Sequence, residues 1–360
     1  MATNQYRPDY AVPPGWVLAE RLEAQGISHA EFARRCDRSA KLISEIVSGK
    51  APIEPITAVQ FERVLGVDAE IWLGIEKNYQ LHQIREAEAS EAEALAEWAK
   101  SFPLIELAKR GAIRTRSASR EAYSELMAFF RVASIDAWHV KYGTANIAYR
   151  HSPSFKSDEN SLATWLRLAE IDAEGQKCNE YDRSAFLGAL RRIRRLTRAP
   201  FYEARDQTHE LCNRAGVALS MIEPLPKASL SGAAWWLSPR KPVIALSARH
   251  RTDDHLWFSL FHEAAHILLH SKKDVFVDEA NAGDADLETE ANEWASNFLV
   301  SRPDWRRFVD EGSFTNLNIR KFAEDQGIAP GIVVGRLQHE RRIGWDWLND
   351  MKVRLEWVEN

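Results

Sequence analysis

From Pro14 onward, apolar residues recur every three or four positions in short runs separated by glycine, serine and proline, which predicts a chain built mainly of α-helices. Trp16 to Gln25 turns Val17, Leu18 and Leu22 inward and stops at Gly26. Ser28 opens a second helix, Ala30 to Arg35, that buries Phe32 and Ala33, with Glu31 three residues on to complete a capping box. After Cys36-Asp37-Arg38, Ser39 opens a third helix with Ile43, Ile46 and Val47 inward and Gly49 at its close. Ile56 to Leu65 and Ala69 to Leu73 complete the block. Two short helices joined by a tight turn predict a helix-turn-helix, whose second member enters the DNA major groove.

The pattern then thins. Glu76 to Lys100 is rich in Ala and Glu, with Leu81, Ile84, Leu95 and Trp98 as sparse apolar contacts, and reads as one long exposed or dimer-facing helix. Pro103 interrupts it. Glu121 to Arg131, Ser161 to Ala173 and Ser184 to Leu196 continue the helical period, with breaks at Gly111 and Ser152-Pro153. The run Arg191-Arg192-x-Arg194-Arg195-x-x-Arg198 reads first as a solvated basic face balancing nearby acids, and second as a contact for DNA phosphates or an acidic partner. Periodicity changes next: Val217 to Ile222, Ala233 to Leu237 and Val243 to Leu246 are short apolar runs bounded by Pro and Gly, which predict a small sheet. If Ala233 to Leu237 is its exposed edge, an extended peptide can add to it.

Trp257 to Leu269 is apolar nearly all round, the pattern of a core helix, yet it holds His262-Glu263-Ala264-Ala265-His266. Histidines and a carboxylate are costly to bury without partners. On a helix, positions four apart are offset by roughly 40° and about 6 Å, so both rings reach one metal ion. Neutral imidazoles leave a metal-bound water acidic, and Glu263 between them is placed to take its proton and pass it to a leaving amine. This HExxH pattern points to zinc-dependent peptide hydrolysis.

An open metal position for water needs a third protein ligand. His270 is the next i+4 step, but in a continuing helix its alpha carbon lies about 12 Å from that of His262, too far to share the ion. The helix Leu287 to Leu299 is the better source: its core stripe is Ala291, Ala295, Phe298 and Leu299, and Glu288 falls one turn earlier. Glu288 is the first candidate and Glu290 the second, with Glu293 on a flank. Asn292, one turn beyond Glu288, is placed to hydrogen-bond a ligating histidine. Arg336 and His339 share a late helix but read as packing or surface residues.

Composition narrows the partners. Residues 1–75 carry eight Lys or Arg against ten Asp or Glu, so strong nonspecific attraction to DNA is not expected, although cations gather from Arg34 to Lys41 and at Lys50. A dimer reading a palindrome compensates for one weakly charged module. The whole chain, 360 residues at net charge −5, is globular in composition. Three widely spaced cysteines, Cys36, Cys178 and Cys212, exclude a cysteine zinc site and fit a reducing compartment. No signal peptide or membrane span is read, so the expected location is the cytoplasm.

Two resemblances sharpen this reading. His262-Glu263-x-x-His266 followed by Glu288-x-Glu290-Ala291-Asn292-x-Trp294-Ala295-x-x-Phe298-Leu299 resembles the ImmA/IrrE metallopeptidases over about residues 200 to 345, with Ser231 to Leu237 and Pro330 to Leu337. That resemblance implies a thermolysin-like site with His262, His266 and Glu288 on zinc and Glu263 as acid/base. It also implies a repressor or similar protein as substrate. Trp294, where such proteins usually have phenylalanine, is a departure that bears on packing. Pro14-Gly15-x-x-Leu18, Gly26-x-Ser28, Ile43-Ser44-x-Ile46-x-Ser48-Gly49-Lys50 and Leu65-Gly66 resemble the Xre/Cro class and HigA-type antitoxins. By that likeness Ser39, Ala40, Lys41, Ser44 and Glu45 face bases or phosphates, and His29 meets the backbone near a helix N-terminus.

The expected protein is therefore mainly α with a small β-sheet. It has a five-helix Xre-type helix-turn-helix domain (9–80), a helical middle (81–200), an α+β thermolysin-like zinc peptidase domain (201–345) and a C-terminal tail (346–360). Its expected function is operator binding, in an antitoxin-like regulator and homodimer, joined to zinc-dependent cleavage of a repressor or toxin. Self-cleavage in Glu76 to Lys100 is a further option. The competing expectation is a non-catalytic antitoxin or repressor that binds operator DNA and a toxin, its metal domain serving as a structural or sensor module.

Overall fold

The protein is described by a computed structural model covering residues 11–90, 92–143, 158–270, 276–277 and 285–355. Its chain divides into two compact units, Met1–Ala96 and Glu97–Asn360.

In the first unit, α1 (Pro14–Ala24), α2 (His29–Arg35), α3 (Ala40–Val47), α4 (Pro55–Leu65) and α5 (Ala69–Ser90) enclose a core of Leu18, Leu22, Phe32, Ile43, Ile46, Phe61 and Trp72. Phe61 sits at its centre, 4.9 Å from the Phe32 ring and 5.6 Å edge-on from Trp72. Gly15 lets α1 lie directly on α3, because a Cβ there would stand 2.3 Å from the Ile46 carbonyl oxygen. Both helices of the helix-turn-helix begin on serine hydroxyls: Ser28 Oγ accepts from Glu31 N at 3.2 Å, and Ser39 Oγ accepts from Leu42 N at 3.1 Å.

The capping box at Ser28 is only half formed. Glu31 does not reach back to the backbone; its carboxylate is held by Arg34 and, at 2.9 Å, by Arg35. Two guanidinium groups one turn ahead outweigh a single backbone N–H. The fifth helix is also longer than the apolar spacing predicts, running on from Ala69 to Ser90 without a break at Gly74. Glu76 is consequently not part of an exposed acidic face: it is buried, and its Oε2 accepts a hydrogen bond from Ile53 N at 3.0 Å. Leu81 and Ile84 do remain exposed.

The expected helix over Glu76 to Lys100 is helical at its described positions, through α5 and α6 (Ala92–Lys100), and the division between the units falls within α6. Helices α7 (Leu104–Lys109), α8 (Arg120–Phe130), α9 (Ile135–Trp138) and α10 (Glu159–Gly175) follow. Phe102, Leu107, Leu126, Phe130 and Trp138 form a core that includes Ala163 of α10. The break expected at Ser152-Pro153 lies outside the described residues. Through Trp165, whose indole donates to the Ile222 carbonyl at 3.1 Å, α10 also packs against the sheet.

Next come α11 (Arg183–Leu196), α12 (Phe201–Arg214), β1 (Ala218–Met221), β2 (Gly232–Ser238), β3 (Lys241–Leu246), α13 (Asp253–Leu269), β4 (Phe276–Val277), α14 (Ala285–Leu299), α15 (Arg302–Glu311), α16 (Asn316–Gln326) and α17 (Pro330–His339). The sheet has the order β1-β3-β2-β4, with β1 parallel to β3 and β2 antiparallel to both its neighbours. The expectation of a free edge at Ala233 to Leu237 is therefore corrected in part. Ala233 pairs with Val277 and Ala234 with Phe276, so β4 already covers that end of β2.

Helix α13 lies against β2, β3, α14 and α17, which explains why its sequence is apolar on every side. Its first turn is also buried. Asp253 accepts a hydrogen bond from Val353 N at 2.8 Å, and Asp254 pairs with Lys352 at 2.7 Å, so residues of the expected tail are tied to the start of this helix. In α11, Arg194 is not solvated as the basic run suggests: its guanidinium donates to the Leu299 carbonyl at 2.9 and 2.6 Å, closing the end of α14. Arg191, Arg192, Arg195 and Arg198 are exposed.

Candidate functional site

His262, Glu263 and His266 come from the middle of α13 and are essentially fully buried. With Glu288 from the first turn of α14, the two imidazoles place one ligand atom each within 4.8 Å of one another. His262 Nε2 stands 3.0 Å from His266 Nε2, 3.2 Å separates it from Glu288 Oε2, and His266 Nε2 is 3.4 Å from Glu288 Oε1. Ligand atoms about 2.0–2.1 Å from one tetrahedral ion are separated by roughly 3.3 Å, so the residues fit a divalent metal.

Proton placement supports the same fit. His262 Nδ1 lies 3.1 Å from Asn292 Oδ1, an atom that only accepts, so Nδ1 donates and Nε2 presents its lone pair to the cluster. Burial, reinforced by the neighbouring His262 and His270 rings, pushes the His266 imidazolium down to about 2. A neutral ring is the form that binds metal.

Of the alternatives weighed for the third position, Glu288 is the one brought to the histidines. Glu290 pairs instead with His270 at 3.3 Å, and Glu293 with Arg302 at 3.3 Å. His270 does not continue the helix: α13 ends at Leu269, and His270 takes an extended backbone conformation while its ring folds back to within 2.8 Å of His266 Nδ1. Trp294 stacks on Phe298 at 4.7 Å, and Phe298 meets Phe261 of α13 at 5.3 Å, so the departure at this position serves packing.

Sequence reasoning missed Gly232. A Cβ on that residue would come 2.7 Å from Glu263 Oε1 and 2.9 Å from Glu263 Cγ, so only glycine leaves room for the buried carboxylate beside β2. The available signal was a glycine opening an otherwise apolar strand. Arg336 is a packing residue as expected: it lies 4.2 Å over the Trp305 ring and pairs with Glu340 at 2.9 Å.

In the first unit, Ser39, Ala40, Lys41 and Ser44 are exposed along α3, and His29 is exposed at the start of α2. Ser39 spends its hydroxyl on the helix cap, and half-buried Glu45 lies 3.8 Å from Lys41.

Comparison with known proteins matches residues 212–327 to the IrrE N-terminal-like domain of peptidase family M78, and residues 18–72 to the helix-turn-helix family. The chain is 29% identical over 68 residues, 19% of its length and 72% of the relative's, to an uncharacterized HTH-type transcriptional regulator, YddM, of Escherichia coli (strain K12). It is 30% identical over 83 residues, 23% of its length and 72% of the relative's, to virulence-associated protein A' of Dichelobacter nodosus. Among solved structures it matches a protein described as an antidote of a plasmid maintenance system from Nostoc punctiforme, with 26% identity, a TM-score of 0.22, and coverage of 22% of this chain and 89% of that one. A HigA-family addiction module antidote from Coxiella burnetii matches at 22% identity and a TM-score of 0.21, covering 22% and 88%. Among the described residues no helix is long and apolar enough to cross a membrane. The chain thus belongs with the helix-turn-helix proteins through its N-terminal domain, and its C-terminal domain carries the match to the IrrE N-terminal-like domain of peptidase family M78.

Proposed function

We propose that the chain is an operator-binding regulator whose C-terminal domain is a zinc-dependent endopeptidase acting on a protein partner. The observation that carries the enzymatic half is the convergence of His262 Nε2, His266 Nε2 and the Glu288 carboxylate beside a buried Glu263. Zinc is favoured over other divalent ions by the two-imidazole, one-carboxylate donor set. When bound, it would lower the pKa of a water and polarise the scissile carbonyl.

His262 and His266 would hold it as neutral rings, and Glu288 would supply the compensating negative charge. Glu263 would take the proton from the attacking water and return it to the leaving amine. A purely structural site needs no such base, which favours catalysis over a sensor role.

In the first unit the exposed face of α3, with Ala40, Lys41, Ser44 and Glu45, would read base edges, while Ser39 and His29 would stand near phosphates. A homodimer on a palindromic operator fits the weak charge of the module, and DNA binding would place the protein with the DNA in the cytoplasm. The protein partner is then a repressor or a toxin.

Both halves have direct tests. Metal-loaded wild type and Glu263→Gln are incubated with lysate of the source organism, and new protein N-termini are sequenced. Termini that appear only with the wild type support the peptidase; identical patterns oppose it. A footprint on the region upstream of the gene should vanish when Lys41→Ala, Ser44→Ala and Glu45→Ala are combined, and one that persists rules out α3 as the reading helix.

A further inference from the structure

His270 was set aside as a ligand because of its distance along a continuing helix, and it forms no part of the three-residue cluster. Its surroundings nevertheless assign it a task. The side chain is 2% exposed, and it lies between His266 Nδ1, 2.8 Å from its own Nδ1, and Glu290 Oε2, 3.3 Å from its Nε2. Two ring nitrogens at hydrogen-bond distance require that one donate and the other accept. If His266 Nε2 keeps its lone pair for the cluster, Nδ1 must carry the ring proton and donate it to His270 Nδ1. His270 then holds its own proton on Nε2, where the Glu290 carboxylate, an acceptor only, stands ready.

We infer that His270 and Glu290 form a positioning relay that fixes the tautomer and ring plane of His266, the counterpart of Asn292 behind His262. This rests on the zinc reading of the site. The spacing makes the relay possible: His270 stands four residues beyond His266 and its N–H still donates to the His266 carbonyl at 3.1 Å, so the two rings lie side by side at the end of α13. Each ligating histidine is thus held from behind by a different device, His262 by the amide oxygen of Asn292 in α14 and His266 by a second imidazole, His270, anchored to α14 through Glu290. Loss of such a partner costs roughly 10–100-fold in metal affinity.

The test is zinc affinity of the full chain by chelator competition, with far-UV spectra of the metal-free proteins alongside. His270→Leu should bind zinc roughly 10–100-fold more weakly. His270→Asn should recover most of that loss, since its amide oxygen can accept where Nδ1 does. Glu290→Ala should lose several-fold, roughly, while Glu293→Ala, whose carboxylate pairs with Arg302, should match the wild type. Wild-type affinity in His270→Leu, or equal losses in His270→Leu and His270→Asn, overturns the relay. A second measurement needs no variant: in the zinc-loaded wild type labelled with nitrogen-15 histidine, His266 should carry its proton on Nδ1 and His270 on Nε2. A His270 proton on Nδ1 overturns the relay while leaving the zinc reading intact; a wild type that takes up no zinc defeats both.

Discussion

Gly232 and Glu263 touch across the boundary between strand and helix: the first residue of β2 has no side chain at the point where Glu263 Oε1 would be only 2.7 Å from a Cβ. Such a separation does not occur between real atoms, so a side chain at 232 must displace the carboxylate or the strand.

Gly232→Ala should therefore retain zinc, because the nearest atoms its Cβ would meet all belong to Glu263 and none to His262, His266 or Glu288. Turnover should fall by about 10²-fold, the effect expected when a catalytic group is misplaced by an ångström or so. Measured metal content and kcat on one cleaved peptide decide it; an active Gly232→Ala enzyme would show that Glu263 does not work from the position described.

Asp253 makes stability depend on pH. Burial in the first turn of α13, with Asp254 adjacent, raises its carboxyl to about 6 despite the hydrogen bond from Val353 N. A folded-state value above the unfolded one means that the native protein holds the proton more tightly. The carboxyl is then least costly below about pH 4 and progressively destabilising as pH rises through about 6. Asp253→Asn keeps an acceptor for Val353 N and removes the charge. It should raise stability at pH 7.5 by about 2–3 kcal/mol and leave it nearly unchanged at pH 4. Melting curves at the two pH values check this, and a variant less stable than the wild type at pH 7.5 would contradict it.

Phe61 is fully buried between Phe32 and Trp72 in the centre of the helix-turn-helix core. Phe61→Ala should cost the domain about 3–5 kcal/mol, enough to abolish most of the margin of a small domain. In the full chain this should appear as a lower urea midpoint for operator binding; an unchanged midpoint would mean that α4 does not carry the core.

Lys41 is exposed on α3, with Glu45 3.8 Å away as its weak partner. If it meets a phosphate, Lys41→Ala should weaken operator binding at all sequences alike and reduce the slope of log affinity against log salt by about one. An unchanged slope would place Lys41 away from the backbone of the duplex.

Much of this molecule could be read from residue spacing, because the informative elements are amphipathic helices with strong ends. Ser39 caps its helix as its chemistry demands, and Ile43 and Ile46 are buried as their spacing requires. The His262, His266 and Glu288 cluster was legible for the same reason: each residue interrupts an otherwise apolar face, and burial of such groups calls for a common partner. What escaped were features fixed by tertiary contacts. Nothing local marks Phe276–Val277 as the strand beside β2, or announces that Glu76 would be buried on the Ile53 amide. Glu31 satisfied the spacing of a capping box, yet two neighbouring arginines draw its carboxylate away. Spacing set His270 aside as a ligand, but it did not show that the ring would sit between His266 and Glu290.

The most direct test of the central claim is the metal content of the full-length chain, purified without added metal, loaded with zinc and dialysed, compared with His262→Ala and Glu288→Ala treated alike. One tightly held equivalent in the wild type, lost or greatly weakened in both variants, is the predicted result. A wild type that retains no zinc, or variants that retain as much as it does, would contradict the site on which the proposed peptidase is built.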